Sequence, residues 1–339
     1  MKRVLLIANY KGPIGGISGQ VEMLYQCLSS EEYTSDIIST HGNPIKRIGL
    51  FFRLLCDSRR YDVLHIHGCS EWGMLPIVYG VIAGKIWRKR IIVTYHGGGA
   101  DEYFAKHGAF AKRWLGRADK VIVLNGYLEK VFVKFEIPCI VIPNIIELSE
   151  VQEHSLYQWD KPRLISVRHL RELYNIPCIL KAFAILKEQV PGATLTVLGD
   201  GPMRAELERL VVSGLGVSGL ADSVQFVGQV KSSEMAGYLA KSDILLSAPH
   251  IDNMPVSVME AMNAGTLVIS SRVGGVPYMI EDGVSGMLFA DDDAEGMANC
   301  ILQAIANPKQ AEAMIGKAKE DVKKYSWKNI QKQLLPLYE

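Results

Sequence analysis

The stretch that decides the fold is Asp252-Asn-Met-Pro-Val-Ser-Val-Met-Glu260-Ala-Met-Asn-Ala-Gly265, in which two carboxylates stand eight residues apart. The apolar run before it, Asp243-Ile-Leu-Leu-Ser-Ala-Pro249, predicts a buried strand. Because proline is tolerated in the first turn of a helix, Pro255 predicts that a helix begins beside it. The pattern therefore predicts a strand, a loop that holds Asp252, and a helix that holds Glu260.

These two carboxylates suggest a binding site for a nucleotide-sugar. The free N–H groups at a helix N-terminus can bind an anion such as a diphosphate. Glu260, over a turn further along, can accept hydroxyls of a ribose, and Asp252 can accept sugar hydroxyls. The ordinary alternative makes Glu260 a solvated helix residue and Asp252 a helix cap. The neighbours of Glu260 are apolar, however, and a carboxylate among them needs a partner.

Apolar strands alternate with amphipathic segments along the chain, which is typical of parallel sheets with helices on both faces. We therefore predict the α/β class, with two doubly wound Rossmann-like domains that face each other across a cleft. The predicted boundaries are residues 1–145 for the first domain, 146–162 for a polar linker, 163–324 for the second domain and 325–339 for a C-terminal helix.

Composition excludes several classes of protein. The 339 residues are 48% hydrophobic and 22% charged, as expected for a globular chain large enough for two cores. No segment reaches the roughly 18 apolar residues that span a bilayer, and the N-terminal run is interpreted as a strand, not a signal peptide. The six cysteines form no C-x-x-C pair, which suits reduced thiols in a cytoplasm, and we predict no metal site.

The net charge of +1 hides an asymmetry between the two halves of the chain. Residues 1–145 contain 19 Lys and Arg against 12 Asp and Glu, so this part carries +7 and the remainder carries −6. A basic N-terminal half suits an anionic membrane leaflet or a lipid-linked diphosphate, whereas nucleic acid is not an expected partner. The densest basic segment is Lys85-Ile-Trp-Arg-Lys-Arg90. Solvated helix ends are the alternative interpretation of these charges.

The acidic-x7-Glu pattern of Asp252 and Glu260 resembles the signature of the retaining glycosyltransferases of family 4 (glycosyltransferase group 1), which have the GT-B fold. The downstream Gly274-Gly275 and Glu281-Asp-Gly-Val-Ser-Gly286 also match, and the resemblance extends to about residue 330. It implies a metal-independent enzyme without a cofactor that moves a sugar from a nucleoside-diphosphate-sugar to a lipid-linked or polysaccharide acceptor. We expect a UDP-sugar as donor, with GDP-mannose as the alternative, and a cytoplasmic location that includes the inner face of the cell membrane.

The resemblance also implies roles for individual residues. His96, Arg168 and Asp252 are the expected catalytic residues: His96 and Asp252 orient the donor sugar, and Arg168 neutralises the departing diphosphate. The C-terminal helix is expected to cross back to the first domain. The expected donor-binding residues are Gly15, Gly16, Arg171, Gly199, Val230, Asn253, Met254, Pro255, Val256 and Glu260.

One position departs from the family pattern. A Lys is expected several residues after the Arg, but Tyr174 stands at that position. In the alignment that places Tyr174 at the position of the Lys, His169 matches the Arg more closely than Arg168 does. Arg171 can replace one of the two charges. The missing Lys leaves open a sugar-nucleotide-binding subunit without transfer activity, and an epimerase of the same fold is a further alternative. A dehydrogenase is disfavoured, because no G-x-G-x-x-G follows the first strand.

Overall fold

The computed structural model describes residues 2–12, 16–29, 31–148 and 156–339, without the side chains of residues 44–47. It divides the chain into two compact units, Met1–Glu147 with Lys324–Glu339, and Leu148–Lys323. Residues 149–155 of the predicted linker lie outside the described residues.

The first unit is built on a sheet of six parallel strands in the order β2-β1-β3-β4-β5-β6. Continuous apolar runs form its central strands, because both faces of a parallel sheet are covered by helices. Its elements are β1 (Lys2–Ala8), α1 (Gly16–Ser29), β2 (Tyr33–Ser39), α2 (Pro44–Ser58), β3 (Val63–Gly68), α3 (Met74–Ile86), β4 (Arg90–Tyr95), α4 (Ala100–Leu115), β5 (Lys120–Val123), α5 (Gly126–Lys134) and β6 (Ile140–Val141).

The second unit repeats this architecture, with six parallel strands in the order β12-β11-β10-β7-β8-β9. The prediction of two doubly wound parallel sheets is therefore confirmed. Its elements are β7 (Arg163–Val167), α6 (Ile176–Gln189), β8 (Thr194–Leu198), α7 (Arg204–Val212), β9 (Val224–Gly228), α8 (Ser232–Ala240), β10 (Ile244–Ser247), α9 (Val256–Ala264), β11 (Leu267–Ser271), β12 (Met287–Phe289), α10 (Ala294–Ala306) and α11 (Pro308–Asp321).

The chain then returns to the first unit through α12 (Trp327–Leu334). Ile330, Leu334 and Tyr338 join the apolar core beneath β1, and the side chain of Lys2 donates to the carbonyl of Tyr338 at 3.1 Å. The predicted helix over 325–339 is too long, because the chain passes into a 3₁₀ turn at Leu335–Tyr338. Pro336 lacks an N–H group and cannot continue the α-helix.

Two edge strands, β2 and β12, carry no sequence pattern that predicts a strand. In β2, Tyr33-Thr-Ser-Asp-Ile-Ile-Ser39, polar residues interrupt the apolar ones, so the segment lacks a strand-like apolar run. The strand β12 has only three residues, which is too short for a periodic pattern. Both lie at the end of a sheet, where one side of the strand is unpaired.

Candidate functional site

The guanidinium of Arg168 is the centre of the polar groups in the second unit. Arg168 follows β7 directly, and its Nη2 lies 3.0 Å from Oδ2 of Asp252 and donates to Oγ of Ser247 at 3.1 Å. Its Cζ lies 5.3 Å from the centre of the Tyr174 ring, a cation–π contact. Its Nε is buried and has no partner among the described residues. The Arg168 side chain is only 10% exposed, so Asp252, Ser247 and Tyr174 hold this cation in place.

Glycine residues allow the Arg168 loop to lie close to the next strand. The N–H of Arg168 donates to the carbonyl of Leu198 at 3.1 Å. Gly199 has a φ of +123°, and a Cβ there would lie 1.9 Å from the carbonyl oxygen of Arg168. Gly199, expected to bind the donor, therefore also determines the path of the backbone that carries Arg168.

Gly199→Ala tests this close approach. The added Cβ meets backbone, so we expect the free energy of unfolding to fall by about 2–3 kcal/mol. Gly219→Ala is the matched control, since Gly219 also has a positive φ (+73°) but no atom within 4 Å of its added Cβ. Because Gly219→Ala introduces the backbone strain without the clash, chemical denaturation of both variants separates the two effects. Equal losses of unfolding free energy in the two variants would contradict the proposed packing.

The backbone of Asp252 is held by the Gly274-Gly275 turn. The N–H of Gly275 donates to the carbonyl of Asp252 at 2.9 Å, and a Cβ on Gly274 would lie 2.1 Å from that same oxygen. Oδ1 of Asp252 accepts a hydrogen bond from the N–H of Asn253 at 2.7 Å, and Oδ2 lies against Arg168. The turn predicted at Gly274-Gly275 thus positions the carboxylate.

The helix α9 begins at Val256 without a side-chain cap, and Pro255 is the residue before its first turn rather than within it. Oγ of Ser257, in the first turn, is buried and has no partner among the described residues. An uncapped N-terminus retains backbone N–H groups that can bind an anion. The preceding Asn253 and Met254 are buried, so this loop is packed.

Glu260 is partly exposed on α9 and accepts no hydrogen bond from the residues that the structure describes. Burial raises the pKa of its carboxyl above the ordinary 4.5, and attraction to Arg168 acts in the opposite direction. A carboxylate with unused acceptor positions near a helix N-terminus suits a ligand with hydroxyl groups.

The remaining predicted residues of this unit lie around the same loops. Arg171 is exposed and precedes the 3₁₀ turn Glu172–Tyr174. His169 is exposed as well, and the residue that contacts Asp252 is Arg168. Val230 is partly buried in the loop after β9.

Three histidines lie together in the first unit, of which His65 and His67 are buried and His96 is partly exposed. Nδ1 of His67, at the end of β3, lies 3.0 Å from Nε2 of His96, which follows β4. His65 stacks on His67 with ring centres 4.5 Å apart, and its Nδ1 lies 2.7 Å from the Tyr338 hydroxyl. Burial lowers the pKa of His65 to about 3 and that of His96 to about 4, and that of His67 well below its usual range. These side chains are therefore neutral at pH 7.

The other predicted residues of the first unit lie in the loop after β1. Gly16 begins α1 with a φ of +56°, a conformation that favours glycine. Gly15 lies outside the described residues. His67 is only 4% exposed and lines a small cavity within the unit together with His96.

Residues 150–321 match the family model described as "Glycosyl transferases group 1", and residues 35–150 match the one described as "Glycosyltransferase Family 4". The chain belongs to the glycosyl transferases group 1. Within the described residues, no helix is long and apolar enough to cross a membrane.

Relatives of this family match about half of the chain. The amylovoran biosynthesis glycosyltransferase AmsK of Erwinia amylovora is 33% identical over 147 residues, 42% of this chain and 35% of that protein. The sulfoquinovosyl transferase SQD2 of Arabidopsis thaliana is 27% identical over 175 residues, 50% of this chain and 31% of that protein. The matches thus span well under half the length of these relatives.

Solved structures of glycosyltransferases share the fold over nearly the whole chain. Anabaena HepE in complex with UDP and glucose has a TM-score of 0.77 at 16% identity, covering 99% of both chains. Sucrose-phosphate synthase of Thermosynechococcus elongatus has a TM-score of 0.82 at 21% identity, covering 100% of this chain and 98% of that one. The fold is therefore GT-B.

Proposed function

We propose that this chain is a retaining glycosyltransferase that takes a sugar from a nucleoside-diphosphate-sugar and transfers it to a hydroxyl of a lipid-linked or polysaccharide acceptor. The observation that carries the proposal is the arrangement in one unit of Arg168, Asp252 and Glu260 beside the uncapped start of α9. A cation, a helix N-terminus and two carboxylates together match the diphosphate, the ribose and the sugar of such a donor.

Each group has a distinct task in the proposed reaction. As the sugar–phosphate bond breaks, negative charge grows on the diphosphate, and Arg168 and the N–H groups of α9 stabilise it. Asp252 shares Arg168 with this anion and accepts hydroxyls of the donor sugar. Glu260 accepts hydroxyls of the ribose, and His96 orients the sugar. These charges are supplied by the protein itself, so we propose that transfer requires no metal ion and no cofactor.

UDP-sugars are the favoured donors and GDP-mannose is the alternative. The favoured choice is supported by the fold that the chain shares with HepE, whose structure contains UDP and glucose. A polysaccharide acceptor is supported by the similarity to a glycosyltransferase of amylovoran biosynthesis.

The first test is a donor panel followed by mass spectrometry of the nucleotide and the product. UDP-, GDP- and ADP-sugars are incubated with and without an extract of lipid-linked acceptors and with a chelator, for the unmodified chain and Glu260→Ala. We expect acceptor-dependent turnover of one donor, unaffected by the chelator and lost in the variant, with a product that retains the donor's anomeric configuration.

Other outcomes identify the alternatives. Conversion of the donor without any acceptor would indicate an epimerase. Tight nucleotide binding without turnover under every condition would indicate a binding subunit, the alternative that the missing Lys leaves open.

We also propose that the chain associates with the cytoplasmic membrane surface through α2 and the turn after α3. Ile48 and Phe52 of α2 are 62% and 59% exposed, and Ile86, the last residue of α3, is 54% exposed. Trp87 lies beside them, because its Nε1 donates to the carbonyl of Leu55 at 2.7 Å. The same segments of the chain carry exposed basic residues, namely Arg53, Arg59, Arg60, Lys85 and Arg88. Apolar side chains among cations suit an anionic leaflet.

Vesicle sedimentation checks this surface. We expect binding to vesicles that contain phosphatidylglycerol, weaker binding at high salt, and little binding to neutral vesicles. Replacing Ile48 and Phe52 together by Ser should lower the bound fraction about tenfold, since two apolar side chains no longer enter the interface. Val133→Ser, on an exposed valine of the same unit, is the control. Unchanged binding of the double variant would refute the assignment.

A further inference from the structure

Two arginines and two aromatic residues form a cluster at the C-terminal end of α4, in the first unit. Cζ of Arg113 lies 5.9 Å and Cζ of Arg117 lies 5.6 Å from the centre of the Trp114 ring. The Phe110 ring meets the Trp114 ring edge-on, with ring centres 6.4 Å apart. Because residues three and four positions apart are neighbours on a helix, all four side chains lie on one side of it. We call these four residues the arginine–tryptophan cluster.

The two guanidiniums of the cluster form no ion pair with the residues that the structure describes. Asp119, the next acidic residue along the chain, accepts the N–H of Ile91 at 2.7 Å, and the acidic Glu136 pairs with Lys112. Like charges four residues apart on a helix repel each other, and the aromatic ring between them offsets part of this repulsion. A bound anion would offset the rest.

The contacts within the cluster fix the guanidiniums and leave their edges accessible. Both arginine side chains are exposed. Nη1 of Arg117 donates to the carbonyl of Arg113, which ties this side chain to the end of the helix. A guanidinium that stacks on a ring by its face presents coplanar N–H groups at its edge. Such an edge matches a planar carboxylate, which can accept two parallel hydrogen bonds from it.

The balance of apolar and charged groups favours a hydrated glycan over a membrane as the ligand. Trp114 is partly buried against the core of the unit, and the arginines lie over its ring, so the indole does not protrude. Of the two rings only that of Phe110 is well exposed, at 44%. Membrane surfaces need protruding apolar side chains, as Ile48 and Phe52 provide in α2. A sugar ring needs less, because its C–H face can pack on a single aromatic ring.

We propose that the arginine–tryptophan cluster binds a glycan whose sugars carry carboxylate groups. Arg113 and Arg117 bind the carboxylates, and Phe110 packs against a sugar ring. Since α4 connects the parallel strands β4 and β5, its C-terminal end lies at the amino edge of the sheet, whereas ligands of doubly wound sheets bind beyond the carboxyl edge. The site rests on the proposed function in one respect: we take this glycan to be the polysaccharide acceptor, held at a second point along its length.

Calorimetry with defined oligomers tests the site without any transfer reaction. The probes are hexagalacturonate, neutral maltohexaose and hexaglutamate, which is a polyanion without sugar rings. We expect hexagalacturonate to bind at least about tenfold more tightly than either of the other two. Arg113→Gln/Arg117→Gln should raise the Kd for hexagalacturonate about tenfold or more, because two charge-assisted contacts are lost. Equal binding of hexaglutamate and hexagalacturonate would overturn the proposal.

Two matched variants separate the cluster from net charge. Lys328→Gln/Lys332→Gln removes two exposed cations with the same spacing from α12 of this unit, and should change the Kd less than about twofold. Arg113→Lys/Arg117→Lys keeps both charges but not the planar edges, and should weaken binding about fivefold. All these side chains are exposed, so we expect unchanged melting temperatures. Equal losses from the two Gln variants, or full binding by the Lys variant, would overturn the proposal.

Two further measurements assign a failure to its cause. If Arg113→Gln/Arg117→Gln loses binding to phosphatidylglycerol vesicles and the unmodified chain does not bind hexagalacturonate, the cluster belongs to a membrane surface and the proposal is refuted. Sugar transfer without binding of hexagalacturonate would refute this site and leave the proposed function intact. Binding of hexagalacturonate through the cluster without sugar transfer to any acceptor would support the site, and would refute the proposed function instead.

Discussion

Arg168→Gln should lower kcat/KM for transfer by about 10²- to 10³-fold, the effect seen when one preorganised charge-stabilising donor is removed. The guanidinium is mostly buried and held by Asp252, Ser247 and Tyr174, so no other side chain of the described loop can replace it without rearrangement. We expect the loss mainly in kcat, because the charge that Arg168 meets grows as the bond to the diphosphate breaks.

Two measurements make this result specific. Arg209→Gln removes an exposed arginine from the same unit and should change kcat/KM less than about twofold. Denaturation of Arg168→Gln should show a loss of about 1–3 kcal/mol, since Asp252 keeps its bond from Asn253 but loses its cation. A variant that is destabilised to this extent but transfers sugar at the normal rate would exclude Arg168 from the reaction.

Glu260→Gln should weaken the binding of the donor nucleotide about 10- to 100-fold, because a carboxylate can accept both ribose hydroxyls and an amide has only one acceptor oxygen. Calorimetry with UDP checks this value. The matched ligand is 2′,3′-dideoxy-UDP, which should bind the variant and the unmodified chain equally. If Glu260→Gln weakens both ligands by the same factor, the carboxylate does not bind the ribose.

The same variant has a distinct effect on stability. Since burial raises the pKa of Glu260 in the folded state, its stabilising contribution is fully present below the unfolded pKa and is lost as pH rises through the folded pKa. The stability of the unmodified chain relative to Glu260→Gln should therefore decline as pH rises above about 4. Denaturation at a series of pH values measures this decline. A difference that stays constant would show that burial does not perturb this carboxyl.

The strands could be predicted where apolar runs are long and both faces are covered. Val4 to Ala8 and Ile91 to Tyr95 are examples, and both are fully buried in the structure. The spacing of Asp252 and Glu260 likewise predicted a loop and a helix, because local geometry depends on residues close in sequence. The strand β2 could not be predicted in this way, since it is held by its pairing with β1 rather than by its own pattern.

The contacts of the site were harder to predict than its residues. Arg168 and Asp252 are 84 positions apart, and only the order of the strands brings the ends of β7 and β10 together. The sequence does not predict the contact of Gly274 with the Asp252 carbonyl, because a glycine pair is equally typical of a simple turn. The contact of His67 with His96 could not be predicted from the sequence either, since the two residues belong to neighbouring strands that only the fold brings together.

The return of α12 to the first unit has a consequence for how this chain folds while the ribosome synthesises it. Ile330, Leu334 and Tyr338 complete the core beneath β1, yet they are translated after all of residues 148–323. At about 5–20 residues per second, roughly 10–35 seconds separate the two parts of this unit on the ribosome. During that interval the apolar surface beneath β1 and the nitrogen of His65 lack their partners, so a nascent chain at this stage is a natural client for chaperones.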